Sequence, residues 1–387
     1  MGLYMIKKSL KIILFFLPVA VILIGANIYA DPGNILFEPE KELVQIMSGG
    51  DAAYTKSHNC NERKAVNHRI EDIDEKFDRV AIGPSLIMTV NSQMVDNDSF
   101  HNFGVSGATY YDIIGILGGL DYHNRLPETV ILSIDTIMFD DAYTAKVSEY
   151  SIFDDYINHF ESKISDDSDE FDDSLNSTIG HKIKDKYIPF IKQKAYYIRN
   201  EYVPFIRINY FQSSVKYLLK NNFDVHPRAG IVADKSTFEG AFYSKDGSYT
   251  YPKEFRNSSD DVILDRQVIY INESLDKKIT IDAEMSDEYT KGFEETIAYL
   301  KSKNVDVVFF LCPYPPVIWD YIEKSGDFPL LFQLEEYIMN YSKNEGIDIV
   351  GSYNPYDADV ISSDFYDERH LKAEVLLDKF DFSIVNK

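Results

Sequence analysis

The sequence predicts an α/β protein built on a doubly wound, parallel, five-stranded sheet in three layers. Three observations carry this. Five short runs are apolar without alternation, as strands covered on both faces must be. Helical segments precede or follow those runs, so strand and helix alternate along the chain. With 387 residues, 45% of them hydrophobic, there is enough chain for a sizeable core.

Taken in order, Lys7, Lys8 and Lys11 precede an uncharged run from Ile12 to Ala30. Such a run is close to the ~20 residues a helix needs to cross a bilayer. The reading is a transmembrane anchor over 12–30 with residues 1–11 as a cytoplasmic basic tip, because positive charge stays inside. A cleaved signal peptide is the competing reading, with Ile28 and Ala30 loosely fitting a cleavage site before Asp31. Either reading puts the rest of the chain outside the cytoplasmic membrane.

After a linker over 31–63, the first part of the α/β domain (64–139) carries three predicted strands. They are "DRVAIG" (78–83), "SFHNFGV" (99–105) and "TVILSI" (129–134), with "TYYDIIGILGGLDY" as the helix after the second. An insertion over 140–284 follows, far longer than an ordinary connection, so it must carry its own, mostly helical, structure. Within it, "SDDSDEFDDS" (165–174) reads as a solvated acidic loop. The near-duplicates "YIPFIK" (187–192) and "YVPFIR" (202–207) lie in a stretch, 181–221, with nine Lys or Arg against Asp185 and Glu201. They read either as two helix starts with proline in the first turn or as a basic, aromatic surface facing anionic lipid. "FYSKDGSYTYP" (242–252) has the turn chemistry of a hairpin around Asp246 and Gly247 and is a candidate lid.

The second part of the domain (285–387) supplies the last two strands, "VDVVFFLC" (305–312) and "GIDIVGS" (346–352). Ser286 is placed to cap the helix that precedes the fourth strand, and Gly346 to end the one that follows. Trp319, beyond the proline-rich end of strand four, reads as packing or as a sugar-stacking ring.

Composition excludes some functions. A formal charge of −24 argues against nucleic-acid binding, which needs a basic footprint. Cys60 and Cys312 are too few for a disulfide framework or a thiolate metal site, and the eight histidines show no paired ligand spacing, so no metal is expected.

In an open α/β sheet the binding crevice lies beyond the carboxyl ends of the strands. Strand one ends in "GPS", presenting Ser85. Strand two ends in "NFGVSGAT", where Gly107 lets backbone approach a ligand. Strand three ends in Asp135 and Thr136, and strand five leads to "DFYDERH", carrying Asp367 and His370. A serine hydroxyl needs an adjacent base to act as a nucleophile; imidazole supplies it, and a carboxylate on the other ring nitrogen fixes the tautomer. Alone, Ser85 would be a helix cap, Gly107 a turn glycine, and Asp367 and His370 the decoration of a helix start. Together, at one sheet edge, they make a site.

"IGPS", "NFGVSGAT" and "DFYDERH" resemble, in order, blocks I, II and V of the SGNH (GDSL-like) hydrolase superfamily, whose fold is flavodoxin-like. The leading apolar run, "DPGNILF" and "NERKAVNHRI" are similar to its membrane-anchored members in cell-envelope polymer acylation, the D-alanyl-transfer proteins of teichoic acid and the alginate-type O-acetylation proteins. The resemblance implies Ser85 as nucleophile, His370 as general base and Asp367 as its orienting acid, with the Ser85 and Gly107 N–H groups as oxyanion hole and no cofactor. It implies a polysaccharide or other envelope polymer as substrate and a membrane O-acyltransferase as partner. Two positions depart from the pattern: Pro84 stands where an Asp or Ser is usual, and "SIDTIMF" where an Asn would donate to the oxyanion. There, Thr136 could donate instead, or Asp135 could bind a substrate hydroxyl or amine. The expected activity is that of an esterase or acyltransferase; the alternative is a binding or assembly protein that keeps the fold without the chemistry.

Overall fold

Why five largely apolar runs make one sheet is visible in how the strands divide their side chains. The computed structural model describes residues 2–56, 60–72, 76–144, 149–166, 207–275 and 284–384. The strands are β1 (Arg79–Ile82), β2 (Phe100–Asn102), β3 (Thr129–Ser133), β4 (Asp306–Leu311) and β5 (Asp348–Gly351). All pair in parallel, in the order β2-β1-β3-β4-β5. Val80, Ile82, Val130, Leu132, Phe309 and Leu311 point into one apolar cluster, while Ala81, Ile131, Val308 and Phe310 point into another. Because successive strand residues face opposite ways, a run with no polar member is what two covered faces demand.

The helices are α1 (Gly2–Ala30), α2 (Glu62–Asp72), α3 (Tyr110–Tyr122), α4 (Asp154–Asp166), α5 (Ile208–Lys220), α6 (Asp260–Tyr270), α7 (Asp287–Ser302), α8 (Pro316–Ser325), α9 (Pro329–Glu345) and α10 (Ala373–Lys379). One face of the sheet is covered by α2, α3, α4, α7, α8 and α9, the other by α10 and the turns after β1. Helix α3 begins with a capping box, the Thr109 N–H donating to Asp112 at 2.8 Å. Its three glycines, poor helix formers, earn their place by contact: a Cβ at Gly118 would collide with the Tyr156 carbonyl of α4. Ser286 caps α7 and Gly346, at φ 67°, ends α9, both as the sequence predicts.

Strand β2 is shorter than predicted. Its pairing with β1 ends at Asn102, whose N–H turns outward to the Asp246 carbonyl at 2.7 Å. The hairpin Phe242–Tyr243 and Tyr249–Thr250, with Gly247 at φ 79° in its turn, thereby covers the exposed sheet edge. Trp319 is buried between Tyr314 and Phe332, so the sugar-stacking role is set aside. Cys312 follows β4 and is buried, and burial pushes its thiol up to about 12.

The chain divides into two compact units: one of residues 1–42, 55–60 and 169–230, the other of 43–54, 61–168 and 231–387. The second holds the sheet, so the ends of the predicted 140–284 insertion belong with it. In the first unit, the Asp31 carboxylate accepts the N–H groups of Ile35, Leu36 and Phe37 and the Tyr210 hydroxyl. The Arg228 guanidinium closes the end of α1 by donating to the Ala30 and Asp31 carbonyls. The acidic run 165–174 begins inside α4, at Ser165 and Asp166, and its remainder, with most of the duplicated basic segment, lies outside the described residues.

The expected transmembrane span over 12–30 is helical but is not found as a span. Among the described residues no helix is long and apolar enough to cross a membrane. Near the far end of α1 the apolar run is broken by Asn27, which is buried.

Candidate functional site

Gly83 and Pro84 set the position of Ser85. Gly83 has φ 147°, and a Cβ there would stand 2.8 Å from both Cβ and O of Ser133 on the neighbouring strand, so only glycine lets β1 leave the sheet this way. Pro84 is extended at φ −68°, ψ 178°, and Ser85 opens a 3-10 turn, Ser85–Ile87. The serine therefore stands at the carboxyl edge of the sheet, half-buried.

Across the crevice a short loop is pinched between Phe365 and Leu371, which form an antiparallel bridge. The Tyr366 N–H closes it on the His370 carbonyl at 2.8 Å. Helix α6 clamps it from outside, Gln267 donating to the Ser362 and Asp367 carbonyls and Arg266 to the Tyr366 carbonyl. Within it, Asp367 Oδ1 accepts the N–H groups of Arg369 and His370, each at 2.9 Å. Both Asp367 oxygens lie 2.9 Å from His370 Nδ1, and His370 Nε2 lies 2.9 Å from Ser85 Oγ.

Electrostatics assigns the protons along this chain. Burial alone would raise the Asp367 carboxyl, but the His370 hydrogen bond and charge, with the two backbone N–H groups, hold it below the usual carboxylate range. An ionised Asp367 only accepts, so Nδ1 of a neutral His370 carries the ring hydrogen. Nε2 is then left as acceptor for the Ser85 hydroxyl.

The remaining predicted residues divide. Asp135 is not open to a ligand as the sequence suggested: its carboxylate pairs with Arg369 at 2.8 Å and also accepts from the Ile137 N–H and the Thr136 hydroxyl. Arg369, stacked 4.2 Å above the Tyr314 ring, thus neutralises the charge that would repel an oxyanion. Thr136 spends its hydroxyl on Asp135. Gly107 has φ 59°, the left-handed region that favours glycine, and its carbonyl is held by Arg63 at 3.2 Å. Neither the Ser85 nor the Gly107 N–H has an acceptor among the described residues.

Several residues in the site were not singled out from the sequence. Asn102 is buried and braces the two loops of the crevice edge: its amide donates to the Ile87 and Val90 carbonyls, and its oxygen accepts the Gly104 N–H. The hairpin is no loose lid. Asp246 is buried, accepting the Ser92 and Ser248 N–H groups, while Tyr249 N–H donates to the Met88 carbonyl. It delivers Tyr251, stacked on Tyr366 at 4.7 Å and tilted against His370 at 5.5 Å, as an apolar wall beside the imidazole. A polar residue inside an apolar run was the available signal for Asn102; for Tyr251 there was none beyond its place near the turn.

Fold and site together define the class: a mixed α/β protein with a five-stranded parallel sheet and a hydrogen-bonded Ser–His–Asp series at the sheet's carboxyl edge. No protein-family model and no curated protein matches the chain. Among the described residues no cluster of His, Cys, Asp and Glu is arranged to hold a metal ion.

Proposed function

We propose that this protein is an SGNH-type serine esterase or acyltransferase acting on acyl esters of a cell-envelope polysaccharide or polymer. The observation that carries the reading is the series Ser85 Oγ, His370 Nε2, His370 Nδ1 and Asp367, each contact 2.9 Å. Ser85 attacks the acyl carbonyl while His370 takes its proton. The tetrahedral oxyanion is held by the Ser85 and Gly107 N–H groups, and collapse returns the proton to the leaving alcohol. A polymer hydroxyl or water then takes the acyl group by the reverse steps. Residue roles follow the superfamily resemblance of "IGPS", "NFGVSGAT" and "DFYDERH", and the strand order is that of a flavodoxin-like fold. No organic cofactor or metal takes part in these steps.

The place of action we propose is the outer side of the cytoplasmic membrane, beside a membrane O-acyltransferase, with α1 as the attachment. Support comes from Lys7, Lys8 and Lys11 ahead of the apolar run and from the exposed Leu14, Phe15, Phe16, Leu17, Val19, Val21 and Ile22, a surface that needs cover.

The test is hydrolysis of p-nitrophenyl acetate, with and without candidate glycans as acceptors. The account predicts turnover by wild type that falls at least about a thousandfold in Ser85→Ala and His370→Ala, the scale seen when a triad member is lost. Acylated glycan in the product distinguishes transfer from hydrolysis. Equal rates in wild type and both variants overturn the enzyme reading and favour the binding or assembly alternative.

A further inference from the structure

The loop that carries Gly107 is held with more care than a turn requires. Arg63 on α2 and Asp112 on α3 form a buried two-pronged pair, Nε to Oδ1 at 2.6 Å and Nη2 to Oδ2 at 2.8 Å. The same guanidinium accepts no alternative orientation of the loop, since it also donates to the Ser106 carbonyl at 3.4 Å and the Gly107 carbonyl at 3.2 Å. With both carbonyls turned toward Arg63, the peptide dipoles of the loop are fixed.

Tyr143 meets this loop from the helical turn Asp141–Thr144, beyond the end of β3. Its backbone N–H is tied to Asp140 Oδ1 at 3.0 Å. Its hydroxyl would crowd a Cβ placed on residue 107, with the ring Cζ 3.6 Å from that point. Gly107 is therefore favoured by its φ of 59°, and the phenol end lies against it. The Tyr143 hydroxyl has no hydrogen-bond partner among the described residues, although the side chain is half-buried. Burial, then the neighbouring Asp135 and Asp112 against the opposing Arg63, raise its pKa, so it keeps its proton and can donate.

We propose that the Tyr143 hydroxyl is a third donor to the oxyanion formed at Ser85, alongside the Ser85 and Gly107 N–H groups. The inference rests on the esterase or acyltransferase reading above. As the Ser85 Oγ–carbon bond forms, the carbonyl π pair moves onto oxygen and the Ser85 proton moves to His370 Nε2. Tyr143 keeps its own proton and donates a hydrogen bond to the new charge. When the carbon–oxygen bond to the leaving group breaks, the pair returns to the carbonyl and the interaction weakens, so Tyr143 favours the intermediate over the bound ester.

The experiment compares full-length wild type, Tyr143→Phe and Ser85→Ala with p-nitrophenyl acetate and with phenylboronic acid, whose serine adduct is tetrahedral. Tyr143→Phe is expected to lower kcat about 10- to 100-fold, with KM within about twofold, below the roughly 100- to 1,000-fold that losing a principal oxyanion donor costs, because two N–H donors remain. The boronic acid should bind weaker by a similar factor while the melting midpoint stays put. Wild-type rate and boronate affinity in Tyr143→Phe, with Ser85→Ala inactive, overturn the inference alone, as does a lowered rate with unchanged boronate affinity. Full rate in Ser85→Ala overturns the parent reading and this inference with it.

Discussion

At the level of single residues, the site depends on Asp367 staying ionised although it is buried. Burial opposes this, and the three hydrogen bonds donated by His370 and Arg369, with the His370 charge, overcome it. The sign for stability follows. A carboxyl whose folded pKa is depressed below its unfolded value of about 3.9 contributes stability that is fully present above that value and is lost as pH falls through the folded one. The account therefore predicts that the stability difference between wild type and Asp367→Asn, read from urea midpoints, is largest near neutrality and shrinks below about pH 4. A difference that is flat down to pH 2 contradicts it. Ser85, Asp367 and His370 were legible in the sequence because sheet topology brings strand ends to one edge. The use of Asp135 was not, because its partner Arg369 lies 234 positions away and nothing local announces a salt bridge of that span.

The elements that aim these residues are short, and their geometry rests on a few backbone positions. Gly83 is the sharpest of them, since β1 must pass within contact of Ser133 before it turns to Ser85. Gly83→Ala should destabilise the fold by roughly 2 to 4 kcal/mol, combining strain at positive φ with a backbone collision. Chemical denaturation reads the first effect, and the ester hydrolysis rate reads the displacement of Ser85. Wild-type stability in this variant means that the strand exit is not fixed as described. Strand positions were legible from largely apolar runs, and helix ends from Ser286 and Gly346. The end of β2 was not, because Asn102 sits inside an apolar stretch. There the Asn102 N–H faces away from β1 to the Asp246 carbonyl, supplied by a hairpin 144 residues later, while the Phe103 and Val105 N–H groups still reach the Ala81 and Gly83 carbonyls.

For the molecule as a whole, the two compact units divide the labour: one holds the sheet and the site, the other the α1 helix and the Arg228 cap at its end. The three-layer class follows from composition and periodicity alone, whereas the unit boundaries do not, since segments remote in sequence share one unit. The exposed apolar side chains of α1 lead to a separate expectation. In detergent phase separation the full chain should enter the detergent-rich phase, and the chain from Asp31 onward the aqueous phase. Both in the aqueous phase would count against attachment through α1.

The central claim is that Ser85 is an activated nucleophile because His370 and Asp367 make it one. Its most direct measurement is covalent labelling by a fluorophosphonate, with the modified peptide located by mass spectrometry. The account predicts one adduct, on Ser85, formed rapidly in wild type and abolished or slowed by orders of magnitude in His370→Ala. An unlabelled Ser85, or equal labelling with and without the imidazole, contradicts it.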